Sequence, residues 1–148
     1  WFPSEGLSVA DIAKVIAAPC GDITYFVEVP YGVGCTALDS IHIKVDTRKA
    51  VVLPNAFTPD GDGNNDIFYL RTGFPEAVQA VLIFQIYDRW GTLVFEQRDF
   101  QPEDPAFGWD GFFKGKRVQP SVLRYYAEVL YKCQVQPEIL NGTVKILY

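Results

Sequence analysis

The sequence has 148 residues, no methionine and a single histidine, His42. Its three cysteines, Cys20, Cys35 and Cys133, form no Cys-x-x-Cys pair, so a zinc site of that type is not expected. An odd number of cysteines permits one disulfide at most. Cys20 and Cys35 flank a predicted strand and are able to pair, but the sequence does not decide the pairing.

Catalytic motifs are also missing. The chain contains no Gly-x-Ser-x-Gly, no His-Glu-x-x-His and no phosphate-binding glycine loop, which are the short signatures of several enzyme classes. A histidine base needs a nucleophile and an orienting partner nearby. His42 alternates with Ile41 and Ile43, which turns it toward solvent or a neighbouring domain. We therefore expect no enzymatic activity.

Positive charge is scarce, with 13 Lys and Arg against 18 Asp and Glu and a net charge of −5. Nucleic-acid-binding domains usually have a basic face. The basic cluster of this chain is Lys114, Lys116 and Arg117 around Gly115, which predicts a solvated hairpin tip. No apolar run approaches the roughly eighteen residues of a membrane span. We expect neither a nucleic-acid partner nor direct membrane insertion.

Hydrophobic residues make up 49% of the chain and aromatic residues 15%. Such a composition supports a packed core, and abundant Tyr, Phe and β-branched residues favour strands. The chain begins with WFPSEGLSV. This stretch lacks the basic segment followed by an apolar segment that marks a signal peptide. We expect a mostly β protein whose export signal lies upstream.

The first part of the chain contains two alternating runs in DITYFVEVPYGVGCTALDSIHIKV. Ile23 and Tyr25 begin one run, Ile41 and Ile43 belong to the other, and a Gly-Val-Gly turn separates them. This pattern predicts a β-hairpin. The first 19 residues offer one further strand, near residues 7–9 or 13–17. The stretch DTRKA that follows is short, polar and charged, which is typical of a linker.

Several strands and turns alternate after Val51. Gly91 in DRWG, the Trp109-Asp110-Gly111 segment and Asn141-Gly142 predict turns, and Asn-Gly is the strongest short hairpin signal. The run AVLIFQIYD is apolar on both faces, which predicts a central strand. This spacing of strands and turns predicts an antiparallel immunoglobulin-like β-sandwich of about seven strands. The predicted strands include residues 51–54, 67–70, 80–88, 92–96, 122–132 and 143–148.

The stretch NAFTPDGDGNNDIF places oxygen-bearing side chains at every second position, at Asp60, Asp62, Asn64 and Asp66. Ca²⁺ prefers six to eight oxygen ligands, and the intervening glycines permit the chain to curl. The twelfth position of the loop is Arg71 instead of a bidentate Glu and the flanks are strands, so an EF-hand is excluded. The alternatives are a shorter Ca²⁺ loop and a turn whose side chains bond nearby amides.

The order of four segments resembles a known family. NAFTPDGDGNNDIF, FQIYDRWGTLVFE, WDG and a final NGTVKILY look like the gliding-motility-associated C-terminal domain, or type B sorting domain of the type IX secretion system, over residues 51–148. Asp60 stands where the family usually has Asn, and residues 121–123 replace a usual Gly. Residues 1–47 resemble the end of an immunoglobulin-like or PKD-like repeat, a second β-sandwich, and residues 48–50 form the linker.

The resemblance implies a role in export. Such domains carry a protein, here expected to be an adhesin, through the periplasm and outer membrane to the cell surface or medium. The implied partners are the type IX translocon and its outer-membrane β-barrel shuttle or acceptor proteins. Edge strands invite pairing with other chains, so we expect the last strand to be the recognition surface. That strand comprises Thr143, Val144, Lys145, Ile146, Leu147 and Tyr148.

An alternative function is a Ca²⁺-dependent adhesive or carbohydrate-binding module. Ca²⁺ sites on β-sandwiches often help to hold sugars, and Trp90 and Trp109 are able to stack on a pyranose ring. The competing interpretation places Trp90 in the core or against the hairpin, as is common for a large amphipathic ring. We favour this competing interpretation for Trp90.

Overall fold

The computed structural model describes residues 1–46 and 51–148. The predicted linker, residues 48–50, lies outside the described residues. Within them the secondary structure consists of strands and two short 3-10 helices, which confirms the all-β prediction. No helix in this part of the chain is long and apolar enough to cross a membrane. Contacts divide the chain into two compact units, Trp1–Arg48 and Lys49–Tyr148.

The first unit contains the predicted hairpin. Strands β1 (Ile23–Tyr31) and β2 (Cys35–Ile43) pair antiparallel from Ile23 opposite Ile43 to Tyr31 opposite Cys35. Cys35 has a free, exposed thiol, so a Cys20–Cys35 disulfide does not form. The expected further strand near residues 7–9 or 13–17 is wrong, because this segment folds back on itself through an isolated bridge between Leu7 and Ala17.

The second unit contains nine strands among its described residues. Five of them form one sheet in the order β4-β11-β10-β6-β7. The central position predicted for residues 80–88 is confirmed, because β6 lies between β10 and β7. The strands are β3 (Val51–Val52), β4 (Ala56–Phe57), β5 (Arg71–Thr72), β6 (Val78–Tyr87), β7 (Leu93–Phe100), β8 (Phe112–Phe113), β9 (Lys116–Arg117), β10 (Ser121–Tyr131) and β11 (Glu138–Ile146).

One pair in this sheet is parallel. Short strand β4 runs beside the end of β11, with Ala56 opposite Lys145 and Phe57 opposite Ile146, while the other pairs are antiparallel. The sequence predicted an antiparallel sheet. It gave no signal for β4, because two residues are too few to show alternation.

The pairs β3–β5 and β8–β9 and their connecting segments cover the inner face of the large sheet. The core between them is aromatic: the ring of Phe57 lies 5.5 Å from that of Phe68 and 5.6 Å from that of Trp109, and Phe68 lies 5.8 Å from Phe84. The Trp109 indole Nε1 donates to the Phe112 carbonyl at 2.9 Å. Offset and tilted aromatic pairs of this kind add stability beyond their buried area.

The strand predicted at residues 67–70 is replaced by a single bridge. Phe68 and Trp109 exchange two backbone hydrogen bonds of 2.9 Å each. The ladder extends no further here, and a Cβ atom on Gly108 would lie 2.4 Å from the Ile67 side chain. The regular strand begins only at Arg71, where β5 pairs with β3.

The turn predicted at Asn141-Gly142 is wrong. Both residues lie inside β11, where Asn141 is opposite Tyr126 and Gly142 is opposite Tyr125. The Tyr125 ring covers Gly142, so a Cβ atom there would lie 2.6 Å from the tyrosine hydroxyl. A neighbouring aromatic ring that covers a strand glycine compensates for its missing side chain. The chain reverses at residues 132–137 instead, where Cys133 has a φ of 73°.

Candidate recognition site

The segments that resemble the sorting family converge on one end of the five-stranded sheet. Because β4 runs parallel to the end of β11, the acidic loop that follows β4 leaves the sheet at that end. Ser121 is opposite Ile146 and Arg124 is opposite Tyr87, so the β6–β7 turn lies there too. We call this region the motif end; it comprises residues 58–66, 88–92, 109–111 and 145–146.

The WDG segment, residues 109–111, packs against the rest of the motif end at Gly111. A Cβ atom on Gly111 would lie 2.8 Å from Pro59 and 3.2 Å from Ile146, and Gly111 has a φ of +80°. A side chain is therefore excluded both by space and by backbone conformation. The WDG segment, the acidic loop and the last strand are thus packed directly on one another.

The acidic loop is organised by Asp66. One carboxylate oxygen of Asp66 accepts a hydrogen bond from the Gly61 amide and the other accepts from the Gly63 amide, each at 2.7 Å. Gly61 and Gly63 have φ values of 88° and 89°, which favour glycine strongly. Asp60 and Asp62 accept from the amides two residues later, the arrangement of Asx turns.

The same loop brings three carboxylates together. One oxygen from each of Asp60, Asp62 and Asp66 lies within 4.8 Å of the others. Asp60 and Asp62 are exposed and Asp66 is half-buried. Asn64 donates its backbone amide to Asp62 at 2.7 Å, so it also holds the loop in shape. The side chains of this loop form turns, and their carboxylates also converge.

The β6–β7 turn presents an exposed tryptophan. The Asp88 carboxylate accepts from the Trp90 and Thr92 amides at 2.8 Å each, and Gly91 has the predicted positive φ, 82°. The hydrogen bond from the Thr92 amide, followed by those from Trp90 and Gly91, holds the pKa of Asp88 below its ordinary value despite some desolvation. Trp90 is 81% exposed with the Arg89 guanidinium 5.2 Å from its ring.

The expected packing of Trp90 in the core or against the hairpin is therefore wrong. Most of its side chain is open to solvent, and the Arg89 guanidinium lies over its ring. Trp109 is 2% exposed, so it is unable to stack on a sugar. The two tryptophans do not form a shared sugar platform, and Trp90 alone remains as an exposed aromatic side chain at the motif end.

The predicted recognition strand is split between core and surface. Val144 and Ile146 have no exposed area, so their side chains stabilise the core. Thr143 and Lys145 are exposed, and Leu147 and Tyr148 are each 46% exposed. Tyr148 donates its hydroxyl to the Val118 carbonyl at 2.8 Å and has the Arg117 guanidinium 4.9 Å from its ring.

The open edge of β11 lies earlier than the sequence predicted. The amides of Lys145 and Leu147 point away from β10 and donate to Asn55 and Phe57, at 2.9 and 3.1 Å, so β4 covers this end. Backbone groups alternate in direction along an antiparallel strand. The N–H and C=O of Ile139, Asn141 and Thr143 therefore point the same way, and no described strand pairs with them.

Comparison with known families decides the identity of the second unit. Residues 51–145 match the family model described as the CHU_C type IX secretion signal domain. The chain belongs to this family. Searches of curated proteins and of solved structures gave no significant match. Membership gives the chain a sorting role in type IX secretion, which implies export to the cell surface or medium and contact with the type IX machinery.

The secretion signal domain has one surface that the sequence did not reveal, the early part of β11. The turn predicted at Asn141-Gly142 made the predicted last strand begin at Thr143, five residues after its observed start at Glu138, so Ile139 and Asn141 were left out of it. The longer strand is identified by its alternation, in which exposed residues take turns with residues that face inward. The exposed residues are Ile139, Asn141 and Thr143, and the inward-facing ones are Leu140, Gly142 and Val144.

Proposed function

We propose that the secretion signal domain carries an exported protein to the type IX translocon, whose outer-membrane β-barrel shuttle or acceptor binds the motif end and the open edge of β11. The observation that supports this proposal is that the segments resembling the sorting family converge on one end of the sheet. The acidic loop, the β6–β7 turn and the WDG segment lie at one end of the sheet, beside a strand with unpaired outward backbone groups.

The open edge suits recognition through backbone hydrogen bonds. A partner strand that adds to β11 would pair with the outward groups of Ile139, Asn141 and Thr143, which is the general mode of β-strand addition. Such pairing depends little on side-chain identity, whereas the loops at the motif end supply specific contacts. The buried side chains of Val144 and Ile146 hold the strand in place, so binding requires no rearrangement of the core.

The sorting role is testable with a reporter. Residues 51–148 are fused to a fluorescent protein that carries an export signal, and the fusion is expressed in a host with a type IX system. We expect fluorescence at the cell surface or in the medium. The matched control is the same host without a working translocon, where we expect retention in the periplasm. Periplasmic retention in both hosts would contradict the proposal.

We also propose that the exported protein is a surface adhesin. The support is the first unit, whose β1–β2 hairpin fits the end of an immunoglobulin-like repeat, a fold common in surface proteins. Binding of the full-length exported protein to surfaces coated with host or environmental glycans would test this idea. Binding unchanged by removal of the region upstream of residue 51 would contradict it.

Ca²⁺ binding is a second candidate function, supported by the three converging carboxylates of Asp60, Asp62 and Asp66. Like charges this close repel one another, and a divalent cation would relieve the repulsion while loop carbonyls and the Asn64 side chain complete its shell. A Ca²⁺-dependent adhesive module would use the same loop.

Thermal unfolding tests the Ca²⁺ proposal. Because Ca²⁺ would bind only the folded loop, millimolar Ca²⁺ should raise the melting temperature of the chain relative to EGTA by about 10 °C at a hundredfold excess over Kd. Asp62→Asn should abolish this difference, while Asp110→Asn, an acidic residue outside the cluster, should preserve it. Equal melting temperatures with Ca²⁺ and EGTA would contradict the proposal.

A further inference from the structure

The outer face of the five-stranded sheet carries an ordered set of polar and aromatic side chains. Arg124 on β10 lies between Thr143 on β11 and Tyr87 on β6, and Tyr126 lies between Asn141 and Gln85 in the next row. Directly opposed residues on one face have Cβ atoms about 5 Å apart. These side chains therefore form two adjacent rows across three strands.

The two tyrosine rings lean along their strands. Tyr87 donates its hydroxyl to Gln85 at 2.8 Å, and Tyr126 donates to Glu128 at 2.6 Å. Each partner is two residues away on the same strand and face, and because β6 and β10 are antiparallel, both rings lean toward the same end of the sheet. This common direction leaves open space above Arg124. The hydrogen bond to Glu128 also raises the pKa of Tyr126.

Arg124 is the cation of these two rows, and Lys145 lies further along β11. Arg98, the other outer-face arginine, donates from Nε to Glu96 at 2.9 Å, and Glu128 is engaged by Tyr126. Arg124 has no ion pair with any residue that the structure describes. A guanidinium presents a planar fork of donors that fits a carboxylate. The site thus offers charge that the protein itself does not neutralise.

A shallow cleft of about 450 Å³ lies at this position and is lined by Tyr87, Arg124, Tyr126, Asn141 and Thr143, among others. Small-ligand sites have volumes of roughly 300–1,000 Å³. Its β11 side has only short polar side chains, and its β6 side has a tyrosine ring. An aromatic wall, an amide, a hydroxyl and an unpaired guanidinium together suit a sugar ring that bears a carboxylate.

We propose that this cleft binds an acidic saccharide, a uronate unit of a glycan. The carboxylate pairs with Arg124, the C–H face of the sugar ring packs on Tyr87, and the sugar hydroxyls bond Asn141 and Thr143. This inference goes beyond the sorting role, since it assigns a ligand site to the outer face of the same sheet. Export of the reporter fusion does not depend on it, so either proposal can fail without the other.

NMR titration of the full chain with digalacturonic acid tests the site. We expect saturable shifts of the amides of residues 87, 124–126 and 141–143. A charge-assisted pair contributes enough that Arg124→Gln should weaken binding about tenfold. Arg98→Gln, the matched control on the same face, should leave the Kd within about twofold. Neutral cellobiose should bind about tenfold more weakly than digalacturonate, because it lacks the carboxylate.

Four outcomes would overturn the proposal. These are no saturable shifts in the cleft, equal affinity of wild type and Arg124→Gln, equal affinity for cellobiose and digalacturonate, and tighter binding of a tetraglutamate peptide than of digalacturonate. The last outcome would assign the cleft to an acidic peptide instead of a glycan. Amide spectra of each free variant show whether the sheet is intact.

Discussion

The hairpins β1–β2 and β10–β11 have nine residue pairs each in their ladders, yet they are buried very differently. Eight of the nine residues of β2 are exposed, and Tyr25 is the one fully buried side chain of β1. In β11 exposed and inward-facing residues alternate, and Val144 and Ile146 have no exposed area. Alternation in a sequence therefore predicts a strand, but burial depends on a second layer.

The second layer explains the difference. β10 and β11 pack on Phe68 and Trp109, which come from segments outside their sheet that precede them in the chain. Among the described residues of the first unit, only isolated bridges accompany β1 and β2, and no second sheet covers them. The apolar side chains of β2, such as Leu38 and Ile41, consequently remain more than half exposed.

Core truncation should give the largest difference between the hairpins. Leu123→Ala removes a side chain with no exposed area and should lower the free energy of unfolding of the second unit by about 2–5 kcal/mol. Leu38→Ala removes one that is 61% exposed and should change the stability of the first unit by about 0.5 kcal/mol or less. Urea unfolding followed by NMR signals of each unit measures both. Equal effects would refute the comparison.

Substitution of Gly142, the glycine of β11 that the Tyr125 ring covers, should have an intermediate effect on the free energy of unfolding. Gly142→Ala places a methyl group against the Tyr125 ring, and we expect a loss of roughly 1–3 kcal/mol from overpacking. Combining it with Tyr125→Leu should cost less than the sum of the two changes, because the smaller side chain removes the clash. The same urea experiment measures the coupling, and strict additivity would show that the ring does not cover the glycine.

Acid should destabilise the β6–β7 turn but not the tip of the β1–β2 hairpin. We expect this to be the smallest of the three effects. The pKa of Asp88 is lowered from its ordinary value because backbone amides, first that of Thr92, donate to its carboxylate. A lowered folded-state pKa means that the carboxylate stabilises the β6–β7 turn fully at higher pH and that this contribution is lost as pH falls through the folded value. The tip of β1–β2, residues 32–34, contains no carboxylate.

Amide hydrogen exchange of Thr92 between pH 5 and pH 2, corrected for its intrinsic pH dependence, measures this effect. We expect protection of Thr92 to fall at the acid end in wild type and to vary much less in Asp88→Asn, whose amide oxygen accepts hydrogen bonds without titrating. Protection in β1–β2 should lack this acid transition. A pH-independent Thr92 in wild type would contradict the assignment.

Long alternating strands and glycine turns were predictable from sequence. β1, β2, β6 and β10 were expected close to their observed positions, because period-2 patterns and positive-φ glycines such as Gly91 are local signals. β7 was expected at residues 92–96 and extends to Phe100. Asn141-Gly142 was misread since its strand conformation depends on Tyr125, a residue 17 positions earlier in the chain. Strand β4 and the burial of Trp109 likewise depend on contacts distant in sequence.

The candidate site was predictable in its residues and only partly in its geometry. The acidic loop of residues 60–66 was identified from its spacing, whereas the choice between turn and ligand cluster needed coordinates. The last strand was predicted to begin at Thr143, five residues after its observed start at Glu138, and its open edge was predicted too far toward the C-terminus. Which backbone groups of β11 face outward depends on its register with β10 and on β4, and neither is encoded in a local pattern.

Export of two variants at one position tests the central claim most directly. Thr143→Pro removes one outward N–H of β11 without breaking a bond to β10, and proline is tolerated on open strand edges; Thr143→Val keeps that N–H. If a partner strand pairs with this edge, the proline variant of the reporter fusion should be exported about tenfold less than the valine variant, with similar melting temperatures. Equal export of the two folded variants would contradict recognition through the edge of β11.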